Sequence, residues 1–148
     1  MRRRLVVPAV CTVAVAVAAP AFARGDTAPD PCKLVTRADA TAVLGAGVAP
    51  GKLQRLGLYE SCTYSAPRNA ILTVQTRSIS KSDFVKSAKA NPGPVKPVGG
   101  IGALAYSAAG GAALLVWRNG SEATFSIFGG GPGLSREVKL AKRVVKRL

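Results

Sequence analysis

The residues best placed to do chemistry are two cysteines, Cys32 and Cys62, and six cations near the C-terminus: Arg136, Lys139, Lys142, Arg143, Lys146 and Arg147. There is no histidine. Its absence removes the commonest base for activating a nucleophile and most zinc-ligand sets. The two cysteines lack C-x-x-C spacing, which argues against a redox pair, and two sulfurs without other ligands do not make a zinc site. Seven carboxylates remain. Asp26 and Asp30 fall in a polar, proline-containing stretch, while Asp39, Asp83 and Glu137 fall in the first turns of expected helices, where the helix dipole favours them. Only Glu60 and Glu122 are left for other duties. A glycoside hydrolase needs two carboxylates facing one another across a cleft, and nothing in the spacing brings these two together. No enzymatic activity, cofactor or metal is expected.

The compartment decides how the cysteines and cations are read. Arg2-Arg3-Arg4, an apolar run from Leu5 to Ala19 and then Ala21-Phe22-Ala23 have the form of a secretory signal peptide, residues 1–23, cleaved after Ala23. The run Leu5–Ala23 is barely long enough to span a bilayer and carries Pro8 and Pro20. Cleavage is the expectation and retention as an anchor the alternative; the route, Sec or twin-arginine, stays open. Cys11 would leave with the signal, and two cysteines in an exported chain form a disulfide by default. Removing Arg2, Arg3 and Arg4 lowers the formal charge from +14 to +11. Such a charge favours anionic partners. Export and the lack of an RNP-like run argue against nucleic acid.

Apolar spacing supplies the elements. Residues 24–31 read as a linker and 32–148 as one α+β domain, with helices packed on an antiparallel sheet of about five strands in the order α-β-β-α-β-β-β-α. Thr36 and Asp39 have capping-box spacing before a helix over Arg37–Leu44, and Gly45 stops it. Residues 45–57 read as a Gly- and Pro-rich loop. Strands are expected over Leu58–Ser65 and Ala70–Ser78, the second with Leu72, Val74 and Thr76 on one face. Ser80 and Asp83 repeat the cap before a helix over Lys81–Ala90. Further strands follow over Ala103–Ser107, Ala112–Trp117 and Glu122–Phe128, with Asn119-Gly120 as a hairpin turn. Ser135 is expected to cap a last helix running to Leu148. At 100° per residue from Val138, Leu140, Ala141, Val144, Val145 and Leu148 fall between about 200° and 340°. The six cations fall between about 40° and 180°. Two glycine-rich stretches carry less. Gly129–Gly133 lacks the P-loop lysine pattern, and Gly99-Gly100-Ile101-Gly102 precedes a strand, so dinucleotide-loop logic fails there.

Pro31-Cys32-Lys33-Leu34-Val35-Thr36, Leu44-Gly45, Cys62-x-Tyr64, Pro97-Val98-Gly99-Gly100-Ile101-Gly102-Ala103-x-Ala105-Tyr106 and the closing amphipathic helix together resemble the small exported proteins and lipoproteins of actinobacteria. Many of these are classed only as domains of unknown function, and some resemble extracellular sensor domains of receptor kinases. The resemblance implies a secreted or cell-envelope location, a Cys32–Cys62 bridge and a non-enzymatic role. This chain departs from the lipoprotein members in having no lipobox cysteine, and it carries Ala103 where an acidic residue is usual. The reading that follows is a secreted or envelope-associated binding or structural domain holding a small apolar or an anionic ligand. The alternative is a cationic protein adhering to an envelope polymer or lipid through Arg136, Lys139, Lys142, Arg143, Lys146 and Arg147.

Overall fold

The structure, a computed structural model, describes residues 27–129 and 133–148. The expected signal segment and the middle of the last glycine run lie outside the described residues. The domain is α+β, and its sheet has seven antiparallel strands rather than five. In chain order the elements are α1 (Pro31–Leu34), α2 (Arg37–Leu44), β1 (Lys52–Leu56), β2 (Tyr59–Ala66), β3 (Ala70–Ser78), α3 (Lys81–Lys89), β4 (Lys96–Pro97), β5 (Leu104–Ala108), β6 (Ala113–Arg118), β7 (Ser121–Phe128) and α4 (Gly133–Val144). The strands lie side by side as β1-β2-β3-β7-β6-β5-β4.

All five expected strands are present, and the two additional ones are the edges. β1 occupies part of the expected 45–57 loop. Its five residues are all exposed, so it has no apolar alternation to betray it. β4 is only two residues long and contains Pro97, which cannot donate to a ladder. The order expected from sequence therefore changes to α-α-β-β-β-α-β-β-β-β-α. α1 falls where a linker was expected to end, and Asp30 starts it by accepting a hydrogen bond from Cys32 N at 2.9 Å. The helix at the C-terminus begins at Gly133, which puts Ser135 inside it rather than at its cap.

Local chemistry explains the elements that matched. Thr36 and Asp39 form a reciprocal capping box on α2. Ser80 accepts from Asp83 N at the start of α3. Asn119 and Gly120 both take positive φ, as a two-residue hairpin turn requires. β3 alternates along its length, with Leu72, Val74 and Thr76 buried on one face.

That face is covered by α1, α2 and α4. Leu72 and Val74 on β3, Phe125 and Ile127 on β7, and Leu114 and Val116 on β6 pack with Leu34, Ala40, Leu140, Ala141, Val144 and Val145 from the helices. The Cys32–Cys62 disulfide joins α1 to β2 within this layer. Gly51 is a packing requirement here, since a Cβ on it would lie 2.6 Å from Cys62 Sγ and 2.8 Å from the Tyr64 ring. On the other face α3 covers only the β5–β6 half, setting Phe84 against Ala108 and Leu115. The β2-β3-β7 half of that face carries Thr63, Thr73, Gln75, Thr124 and Ser126 instead, all half-buried. Among the described residues every strand and α-helix lies between residues 31 and 144.

Candidate functional site

α4 lies on β7 and β6, with Leu140, Ala141 and Val144 inward. Lys139, Lys142, Arg143, Lys146 and Arg147 are exposed on its other side and just beyond its end, and Arg136 is half-buried. The faces are those the helical spacing predicts, but the six cations do not act as one row. Arg147 Nη1 donates to Asp39 Oδ2 at 2.6 Å and to Leu34 O at 2.8 Å, and Arg143 Nε lies 3.6 Å from Asp39 Oδ1. Both tie the end of α4 to the start of α2. Arg136 donates to Gly129 O at 2.7 Å. Among the described residues, Lys139, Lys142 and Lys146 have no carboxylate partner.

Lys142 and Lys146 are one helical turn apart and share a surface. Together with Arg118, Val145 and the turn Gly100-Ile101-Gly102 they line an open pocket of about 620 Å³. Three distant segments build it. Gly100 and Gly102 adopt positive φ, 72° and 81°, which lets the chain fold back while Ile101 buries itself as the anchor. Val98 N donates to Ala105 O at 2.9 Å and ties this turn to β5. Arg118 ends β6 and is aimed by a 2.9 Å hydrogen bond from its Nη1 to Val145 O. Lys142 Nζ stands 3.8 Å from where a Gly100 Cβ would be. The lining holds three cations and no carboxylate. A lone charge in an open pocket is screened by water, but three lining the same pocket attract an anion that each would hold weakly alone. Arg118 also offers a planar fork of donors suited to phosphate or carboxylate oxygens.

The sequence does not single out Arg118, and it assigns the glycine turn no binding role. Arg118 reads there as the last residue before a hairpin, and Gly99–Gly102 fails the dinucleotide pattern, so only the fold joins them to Lys142 and Lys146.

Glu60 and Glu122 are held apart by the sheet. Glu60 pairs with Thr76 and Glu122 with Arg77, adjacent residues of β3 whose side chains point to opposite faces. Glu60 sits 3.1 Å from Arg55 Nε. Glu122 is 3% exposed; Arg77 donates to it at 2.6 Å and Thr124 Oγ1 at 3.3 Å. Arg77 also donates to Ser87 Oγ and lies 4.7 Å over the Tyr59 ring. This buried network borders a second pocket of about 260 Å³ with Gln75 and Asn91. The pocket that Glu60 lines does not include Glu122, and the one that Glu122 lines does not include Glu60.

Two further carboxylates are perturbed. Burial pushes Asp39 up, but hydrogen bonds from Arg147 and Thr36 together with the Arg147 charge outweigh it and hold the group below its ordinary value. Glu137, expected in the first turn of a helix, is 0% exposed. Burial pushes it up to about 7, against the opposing pull of the hydrogen bond from Ile127 N and the Arg136 charge. Its Oε1 accepts from Ile127 N at 2.8 Å, and its Oε2 has no partner among the described residues. It lies near the start of α4, away from the basic pocket. Among the described residues no cluster of His, Cys, Asp and Glu has the makings of a metal site, and no helix is long and apolar enough to cross a membrane.

Comparison of the chain with family models, curated proteins and solved structures yields no match.

Proposed function

We propose that this protein is an extracytoplasmic, non-enzymatic binding domain that holds an anionic oxygen group, phosphate or carboxylate, in the pocket of Gly100–Gly102, Arg118, Lys142 and Lys146. The observation that carries the reading is a pocket lined by three cations and a glycine turn with no carboxylate among them. A disulfide in a small domain supports an oxidising compartment, and the leader-like first 23 residues agree with it. The separation of Glu60 from Glu122 by the sheet supports a role in binding rather than hydrolysis. An anionic ligand is favoured over an apolar one because the layer between sheet and helices is filled by its own side chains, Leu72, Phe125 and Leu140 among them.

The test is titration of residues 24–148 with inorganic polyphosphate. Lys142→Glu with Lys146→Glu should weaken binding at least about tenfold, with a reduced salt dependence. The charge-matched control, Lys89→Glu with Lys139→Glu, should change it by no more than about twofold. Equal losses in the two double variants would show a diffuse charge effect and remove the pocket from the reading.

A further inference from the structure

The basic pocket opens at one end of the sheet, and the strand registers show what else is there. Ser78 at the end of β3 pairs with Ser121 at the start of β7. The Asn119–Gly120 turn therefore sits beside it, and Ile79 N donates to Gly120 O at 2.9 Å. Leu104 pairs with Trp117, which brings the Gly100–Gly102 turn to the same end as Arg118. Glu60 pairs with Thr76, which brings the turn between β1 and β2 there as well. That turn carries Leu58, 88% exposed, and Leu56 precedes it on β1, 53% exposed. Arg55, just before them, is engaged by Glu60. Leu58, the most exposed large apolar side chain described, and Leu56 thus share one end of the molecule with Arg118, Lys142 and Lys146, while Phe128, 55% exposed, lies at the other end of β7.

The chain also enters from this end. Thr27 and Ala28 line a pocket of about 530 Å³ with Leu58, Ser78 and Ile79, and Thr76 Oγ1 donates to Pro29 O at 2.8 Å. The apolar run that closes at Ala23 is four residues upstream of Thr27. Four residues reach at most about 14 Å. Whenever that run is in a bilayer, this end of the sheet is held close to the lipid surface. Protruding leucines at the β1 edge, with Arg118, Lys142 and Lys146 four strands across the same end, are also the side chains that an interfacial site combines, the apolar ones entering the acyl boundary and the cations meeting the headgroups.

We propose that this end of the sheet docks on an anionic phospholipid bilayer, with Leu56 and Leu58 inserted and Arg118, Lys142 and Lys146 on lipid phosphate. The proposal rests on the anion-pocket reading and adds the occupant and the orientation. The mature chain's formal charge of +11 is complementary to such a surface.

The experiment is co-sedimentation of residues 24–148 with vesicles of phosphatidylcholine, with and without phosphatidylglycerol, run beside the polyphosphate titration. Wild type should bind the vesicles that contain phosphatidylglycerol. Leu56→Asp with Leu58→Asp should lower that partition at least about tenfold while leaving polyphosphate binding unchanged. As a gentler probe, Leu58→Trp should shift its emission to the blue on these vesicles and be quenched by brominated acyl chains above the Trp117 background. If the leucine variant partitions like wild type, or wild type binds neither vesicle, bilayer docking is overturned while the pocket stands on its polyphosphate result. If Lys142→Glu with Lys146→Glu leaves polyphosphate binding intact, the pocket reading fails, and with it the phosphate contact proposed here.

Discussion

At its C-terminal end α4 delivers Arg143 and Arg147 to Asp39. At its N-terminal end it buries its own Glu137 against β7 with one backbone N–H for a partner. Both carboxyls are almost wholly enclosed, Asp39 at 4% and Glu137 at 0% exposure. Asp39 accepts from Thr36 N, Thr36 Oγ1 and Arg147 Nη1, and it is held below its ordinary value. Glu137 has no comparable set and is pushed up to about 7. Burial raises both groups, so the number of donors around each decides the sign. The two ends therefore respond to pH in opposite directions. Asp39 contributes stability above its ordinary value of 3.8 and loses it as pH falls through its lower folded value. Glu137 contributes most below its ordinary value of 4.5 and loses that contribution as pH rises through about 7.

The largest effect is expected at the Asp39 end, because that end is also covalently held. The Cys32–Cys62 bridge closes a loop with a sequence separation of 30 and fixes α1, just ahead of the capping box, to β2. Replacing both cysteines with serine should cost about 3–4 kcal/mol in denaturant unfolding. Amide exchange should rise first in α1 and α2 rather than around Glu137. Uniform exposure across both ends would mean that they unfold as one unit and have no separate local stability.

The next effect tests the ion pairs themselves. Arg143→Ala with Arg147→Ala leaves Asp39 buried with only Thr36 to satisfy it. Both arginines are about half exposed, so the loss falls short of that for a fully buried pair and should be about 2–3 kcal/mol at pH 7. The difference from wild type should shrink as pH falls below 3.8, where Asp39 becomes neutral in the unfolded chain. A loss that stays constant down to strongly acid pH would assign the effect to packing of the arginine stems instead.

What the sequence made legible follows the same division. Burial leaves a periodic trace, so the alternation in β3, the caps at Thr36 and Ser80 and the inward face of α4 could all be read. The edges could not, because β1 is exposed at every residue and β4 is two residues ending in proline. Glu137 was legible by its angle. Counting back one residue from Val138 puts it at about 260°, inside the apolar arc, although its first-turn position is explained by the helix dipole alone. The basic pocket was half legible. Lys142 and Lys146 lie on the charged arc, whereas Arg118 and Gly100–Gly102 join them only through the pairing of β5 with β6 and the packing of α4.

The smallest expected effect is a gain. Glutamine at 137 resembles the protonated acid except for its extra unpaired donor, so Glu137→Gln should be about 1 kcal/mol less stable than wild type near pH 4. Between 4.5 and about 7 the wild-type protein takes up a proton in the folded state that the unfolded chain has lost, an interval worth about 3 kcal/mol. At pH 8 the variant escapes that loss. Its amide, placed where Oε2 has no partner among the described residues, gives back about 1 kcal/mol as an unpaired buried donor. A net stabilisation of about 2 kcal/mol at pH 8 is expected, measured as the shift of the urea midpoint across a pH series. If the variant and wild type stay parallel from pH 4 to 8, Glu137 is charged throughout and an unseen donor satisfies it. The two ends of α4 would then hold their carboxyls in the same way, and the contrast between them would disappear.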